Sequence, residues 1–67
     1  MKLYELGGGY VFAFDYDYID AWGGHCVTGT LFDTVDGTVQ PNRLAWGPEW
    51  ASVSNIVYGA ARVALGV

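Results

Sequence analysis

Hydrophobic and polar side chains alternate most regularly between residues 10 and 19. Every second residue on one face is aromatic: Tyr10, Phe12, Phe14, Tyr16 and Tyr18. The other face carries Val11, Ala13, Asp15, Asp17 and Ile19. A period of two residues is that of a β-strand, and aromatic side chains are enriched in strands. The pattern therefore predicts a strand over Tyr10–Ile19 with one continuous aromatic face.

Two further strands are predicted after this one. The segment His25–Val35 is rich in threonine, valine and aromatic residues, a composition that favours a strand. Asp36-Gly37 is a preferred pair for a two-residue type I′ turn, so a hairpin is predicted between Leu31–Val35 and Thr38–Gln40. Because Pro41 has no N–H to donate to a sheet, the third strand either ends there or lies at an edge.

The residues after Gly47 change to a helical period. Small or polar residues recur three or four positions apart: Ser52, Asn55, Gly59, Arg62 and Gly66. Pro48 followed by Glu49 is typical of a helix start, because proline suits the first position and an acidic side chain complements the helix dipole. We predict a helix over residues 48–66, apolar around most of its circumference. A fourth strand at Ser54–Tyr58 is the alternative.

These elements predict one α+β domain over residues 1–67, in which a small antiparallel sheet of three to four strands packs against one C-terminal helix. Leu3–Leu6 is the optional extra strand, and Gly7–Gly9 is predicted to be a turn or a flexible connector. Two arrangements of the aromatic strand remain open. Either the helix covers the aromatic face and leaves Asp15 and Asp17 on the open face, or the tyrosines form an exposed binding surface.

Composition excludes several function classes. The 67 residues carry 15% charged side chains and a formal charge of −4, with a pI near 4.3. Because an acidic surface repels phosphate, we expect no direct binding of nucleic acid. The apolar run Ile56–Val67 has 12 residues, short of the roughly 20 that span a bilayer, so no membrane role is expected. The absence of a signal-peptide pattern and the lone Cys26 predict a cytoplasmic protein.

The single histidine and the single cysteine are adjacent, at His25 and Cys26. Neighbouring side chains of a strand point to opposite faces, so this pair is a poor nucleophile and base. We expect Cys26 to be a small buried hydrophobic residue and His25 to be a polar residue near a turn. Since no serine elbow or phosphate-binding loop is present either, we predict a protein that is not an enzyme and uses no cofactor.

Three acidic residues lie in the second half of the predicted aromatic strand or just beyond it: Asp15, Asp17 and Asp20. They can form a solvated strand face that prevents aggregation, a contact for a protein partner, or a set of oxygen ligands for a divalent cation. The calcium-binding loop pattern fails, because Ile19 occupies the third ligand position. We therefore predict no metal site.

The aromatic residues point to a protein interface. A domain of this size cannot bury all eleven of them, and exposed tyrosine and tryptophan are typical of protein interfaces. The predicted partner-binding residues are Asp15, Asp17, Asp20, Tyr16, Tyr18 and Trp22.

The leading hypothesis is a small acidic, non-enzymatic protein-binding module, an inhibitor or adaptor that blocks its partner by steric or charge-complementary contact. Its partner would carry a basic surface, such as one that otherwise binds nucleic acid. Phage proteins that inhibit host machinery or anti-phage defence offer an analogy of size and charge. The alternative is a structural or assembly subunit, such as a virion component, that functions as a homo-oligomer because one small sheet cannot cover its apolar helix.

Overall fold

The computed structural model describes residues 2–67 and contains a four-stranded antiparallel sheet with one helix. The elements are β1 (Lys2–Gly7), β2 (Tyr10–Ile19), β3 (Gly24–Asp33), β4 (Thr38–Pro48) and α1 (Val53–Ala64). The strands lie in the sheet in chain order, so β1 and β4 are its edges. This arrangement confirms the predicted α+β fold, and β1 is the optional strand predicted at Leu3–Leu6.

One face of the sheet packs against α1, and we call it the helix face; the other is the open face. The core side chains from the strands are Tyr4, Leu6, Phe12, Val27, Leu31 and Ala45. Those from the C-terminal segment are Ala51, Ile56, Val57 and Ala61. Val27, at the centre of β3, has no exposed surface. The core therefore lies in a single layer between the helix and the sheet.

A β-bulge at Asp15 divides the aromatic face of β2. The pairing of β2 with β3 shifts register between Phe14 and Tyr16, which leaves Asp15 as an extra residue. Because successive residues of a strand alternate between faces, one extra residue exchanges the faces of all residues beyond it. Tyr16 and Tyr18 thus lie on the open face, while Asp17 lies on the helix face. The prediction of one continuous aromatic face is wrong beyond Phe14.

The helix begins later than predicted. Pro48 is the last residue of β4, and α1 begins at Val53 after the N-cap Ser52. The side-chain oxygen of Ser52 accepts a hydrogen bond from the backbone N–H of Asn55, at 3.1 Å. This bond satisfies one of the free N–H groups of the first turn, a role for which serine is well suited. A helix rather than a strand is confirmed, but its start at residue 48 is wrong.

The turn between β3 and β4 differs from its prediction, whereas the glycine turn between β1 and β2 does not. Four residues, 34–37, connect β3 to β4, and only Gly37 among them has a positive φ, whereas a type I′ turn needs two such residues. The carboxylate of Asp33 stabilises this loop by accepting hydrogen bonds from the N–H groups of Val35 and Asp36. Gly7–Gly9 forms the turn between β1 and β2, and all three residues have positive φ, as expected of glycines at a turn or hinge.

Strand β4 is an edge strand that continues past Pro41, as the second of the two predicted possibilities allowed. Its register against β3 shifts between Gly29 and Leu31, near Asn42, which has a φ of 59°. Because β4 is an edge strand, no neighbour on its outer side is disturbed by the missing N–H of Pro41 or by this irregularity. Beyond them, regular pairing resumes and carries Trp46 to the far end of the sheet.

Candidate functional site

Exposed aromatic side chains concentrate at the end of the sheet where β2 and β4 finish and β3 begins. We call this the aromatic end, formed by Tyr16, Tyr18, Trp22, Trp46 and Trp50. Trp22 lies in the turn between β2 and β3, and Trp50 lies between β4 and α1. The three tryptophans are 91%, 62% and 84% exposed in chain order, so none of them serves the core.

The aromatic end is ordered by direct contacts on the open face. Tyr18, Cys26 and Trp46 are direct cross-strand neighbours on three adjacent strands. The rings of Tyr16 and Tyr18 stack at a centroid distance of 6.1 Å and an interplanar angle of 30°. The indole of Trp46 lies over Gly24, where an added Cβ would come within 2.8 Å of its Cζ2 atom. These rings are therefore held by the sheet and not by a loose loop.

Asp20 fixes two of the tryptophans. Its Oδ1 atom accepts hydrogen bonds from the backbone N–H groups of Trp22, at 2.9 Å, and Gly24, at 2.8 Å. Its Oδ2 atom accepts one from the indole Nε1 of Trp46, at 3.2 Å, and a longer contact from the Cys26 thiol. The hydrogen bond from Gly24, followed by that from Trp22, lowers the pKa of Asp20. Asp20 thus acts as a positioning residue, with both oxygens engaged inside the molecule.

His25 is the polar centre of the helix face. Its Nδ1 lies 2.8 Å from the carbonyl oxygen of Ala51, and its Nε2 lies 2.7 Å from Oδ2 of Asp17. Because both partner atoms are acceptors, this geometry favours the imidazolium form, in which both ring nitrogens carry hydrogen. The hydrogen bond with Asp17, and then that with Ala51, raises the pKa of His25. His25 joins the sheet to the segment that precedes α1, whereas the sequence predicted only a polar residue near a turn.

The arrangement offers little for covalent chemistry. His25 lies on the helix face and Cys26 on the open face, as the alternation of the strand predicted. Burial raises the pKa of the Cys26 thiol, which keeps it protonated and weakly nucleophilic. Within residues 2–67, no group of three or more histidine, cysteine or acidic side chains is placed to hold a metal ion.

The six predicted partner-binding residues therefore differ in their exposure and contacts. Tyr16, Tyr18 and Trp22 are exposed at the aromatic end, and Asp15 is exposed at the bulge. Asp17, whose side chain is 42% exposed, binds His25, and Asp20 is occupied by internal hydrogen bonds. The bulge and the turn thus give the three acids separate positions rather than one shared cluster.

Trp46 and Trp50 were not among the predicted binding residues. The position of Trp46 beside the tyrosines could nevertheless have been inferred by counting residues outward from the two turns. Counting back along both strands from the loop between β3 and β4 puts Trp46 within one residue of Cys26. The same count from the turn at Gly23 brings Cys26 opposite Tyr18. The two counts together would have brought Trp46 to the tyrosines.

The helix found within residues 2–67 has 12 residues and is not long and apolar enough to cross a membrane. Comparisons with protein-family models, with curated proteins and with solved structures gave no match.

Proposed function

We propose that this protein is a small, non-enzymatic protein-binding module that acts in the cytoplasm, and that the aromatic end is its binding surface. The observation that carries the proposal is the exposure of Trp22, Trp46 and Trp50 at one end of a rigid sheet. Tryptophan and tyrosine are the residues most enriched among those that dominate binding energies. Asp20 and Gly24 fix the ring of Trp46, and Asp20 also holds the backbone at Trp22, so part of this surface loses little conformational entropy on binding.

The shape of this end also suits a protein ligand. A shallow groove begins at Trp46 and Trp50 and follows the outer side of α1 past Gly59 to Val63. The groove is open to solvent and lined mainly by apolar side chains. Such a surface fits an aliphatic or aromatic side chain of a partner better than a small polar molecule.

Charge indicates the kind of partner. Asp15 and Glu49 are exposed at or beside the aromatic end, whereas Asp17 is paired with His25. Of the three basic side chains, Lys2 lies over the ring of Tyr4 and Arg43 donates a hydrogen bond to Gln40. The third, Arg62, lines the groove along α1. A basic protein surface, including one that otherwise binds nucleic acid, would be attracted to this end and associate faster. Occupying such a surface would make the module an inhibitor by steric and electrostatic blocking.

The test is a capture experiment with the immobilised protein in a lysate of the cells that make it. The double variant Trp22→Ala, Trp50→Ala should bind the captured protein at least about 30-fold more weakly, because each residue is expected to contribute as a hot spot. Val35→Ala is the matched control, since Val35 is 77% exposed in the loop at the opposite end of the sheet. Raising the salt concentration should slow association.

Circular dichroism must first show that all variants keep the wild-type fold. A captured protein that the double tryptophan variant binds as tightly as wild type would remove the aromatic end from the proposal. A lysate from which no protein is captured specifically would count against a protein-binding module altogether.

A further inference from the structure

The open face of the sheet has the composition of a buried surface. It exposes large apolar side chains on three strands: Leu3 on β1, Tyr16 and Tyr18 on β2, and Val39, Leu44 and Trp46 on β4. On β3, the half-buried Phe32 shares this face with Thr28 and Thr30. Leu3, Val39 and Leu44 are each 57–59% exposed. An antiparallel sheet with one solvated face normally carries polar side chains there. Here apolar residues point to both faces, which is the pattern of a sheet covered on both sides.

We infer that a second copy of this chain covers the open face, so that two sheets pack face to face between two outer helices. This inference goes beyond the proposed function and does not depend on it. Such a dimer would bury Tyr16, Tyr18 and Trp46 of the aromatic end. Trp22 and Trp50, which lie in turns outside the open face, would stay available to another partner.

The distribution of charge favours a second copy over a different partner. Among the regularly paired strand residues of the open face, Glu5 on the edge strand β1 is the one charged side chain, and Asp15 lies at the bulge. The carboxylate of Asp20 also reaches this face from its turn, where it accepts hydrogen bonds from Trp46 and Cys26. The other acids lie on the helix face or in turns. A chain with a formal charge of −4 can therefore approach its own copy here with few like charges in opposition. A basic partner would find almost no charge to pair with on this face.

The area is also sufficient for a specific dimer. Strands of 6, 10, 10 and 11 residues, about 4.8 Å apart and with a rise of about 3.3 Å per residue, present a face of roughly 600 Å². Two such faces would bury about 1,200 Å² in total, which reaches the range of specific protein interfaces. Packed sheets lie about 10 Å apart with their apolar side chains interdigitated. A 67-residue chain without a disulfide also gains the stability that a small single core rarely supplies.

The test is the molar mass in solution, by sedimentation velocity or light scattering from about 1 to 300 µM. Wild type should form a dimer of 14.6 kDa, twice the 7.3 kDa of one chain. Leu44→Glu places a charge on the open face at a residue that is already exposed, so the monomer should still fold. We expect this variant to raise the dimer dissociation constant by at least about 100-fold, because the carboxylate loses its hydration without gaining a partner.

Val63→Glu is the matched control, since Val63 is 90% exposed on the outer side of α1. It should remain as dimeric as wild type, and so should the double variant Trp22→Ala, Trp50→Ala. Three results would overturn the inference: wild type that is monomeric at 300 µM, a folded Leu44→Glu variant that dimerises like wild type, or dissociation by Val63→Glu. A monomer that still captures a partner through its tryptophans would overturn the dimer alone and leave the proposed function standing.

Discussion

Two glycine-to-alanine substitutions should change the stability of this fold in opposite directions. Gly59 lies inside α1, and a Cβ added there would meet no atom within 4 Å. Gly29 lies on the helix face of β3, where an added Cβ would come within 2.6 Å of Cζ of Phe12 and would also collide with the backbone oxygen of Ala13. The same methyl group is thus accommodated at one position and obstructed at the other.

The magnitudes follow from these surroundings. Alanine is favoured over glycine in a helix interior by about 1 kcal/mol, so Gly59→Ala should raise the free energy of unfolding by about that amount. For a domain of this size, that corresponds to a rise in Tm of about 4–8 °C. Gly29→Ala forces the Phe12 ring or the β2 backbone to move, and overpacking of this kind costs about 1–3 kcal/mol. The Tm of Gly29→Ala should fall by at least as many degrees as the Tm of Gly59→Ala rises.

Urea unfolding followed by circular dichroism measures both effects, with all proteins at one concentration so that any association contributes equally. The urea midpoint should rise for Gly59→Ala and fall for Gly29→Ala, with similar slopes. A lower midpoint for Gly59→Ala would contradict a continuous, unobstructed helix at that position. An unchanged midpoint for Gly29→Ala would contradict the packing of Phe12 on the helix face, and with it the assignment of faces on either side of the bulge.

Two further predictions concern His25 and the bulge. The raised pKa of His25 means that its contribution to stability is complete below its ordinary pKa of 6.5 and is lost as the pH rises through the higher folded value. Unfolding between pH 5 and 9 should show this loss in wild type but not in His25→Gln, and parallel profiles would contradict the imidazolium. Deletion of Asp15 should leave the fold intact, because every other pairing of β2 is preserved. Deletion of Asp17 moves either Tyr18 or, if the bulge is lost, Tyr16 to the helix face and removes the partner of His25, so it should destabilise the chain much more. Equal losses of the circular dichroism signal would contradict the bulge.

Strand β2 and the helix could be predicted because each has a regular period, whereas β3 was predicted from its composition and the start of β4 from the Asp36-Gly37 pair. Strand β2 has the predicted bounds, Tyr10–Ile19, since its alternation is unbroken and glycines flank it. The helix type could be recognised from residues spaced three and four apart. Its start could not, because Pro48 is as compatible with the end of an edge strand as with the first turn of a helix. The N-cap at Ser52 sets the start of the helix, and it forms only after the chain has turned between Pro48 and Ser52.

The bulge could not be predicted from the pattern of side chains. Aromatic residues continue to alternate with other residues across Asp15, so the sequence itself shows no interruption. What places the extra residue is the pairing with β3, where Asp17 aligns with Val27 and Tyr18 with Cys26. Such pairing depends on long-range contacts, among them the hydrogen bonds of His25 with Asp17 and Ala51. These bring together residues that are 8 and 26 positions apart.

The single extra residue at the bulge connects the interior of this protein to its proposed binding surfaces. Because of it, Asp17 lies on the helix face and balances the charge of His25 there. The same shift places Tyr16 and Tyr18 on the open face, where Tyr18 is aligned with Trp46. A regular strand would instead direct both tyrosines toward the helix face and move Asp17 away from His25. The bulge therefore keeps the hydrogen bond between Asp17 and His25 on the helix face while it places two tyrosines on the open face, where the proposed association would use them.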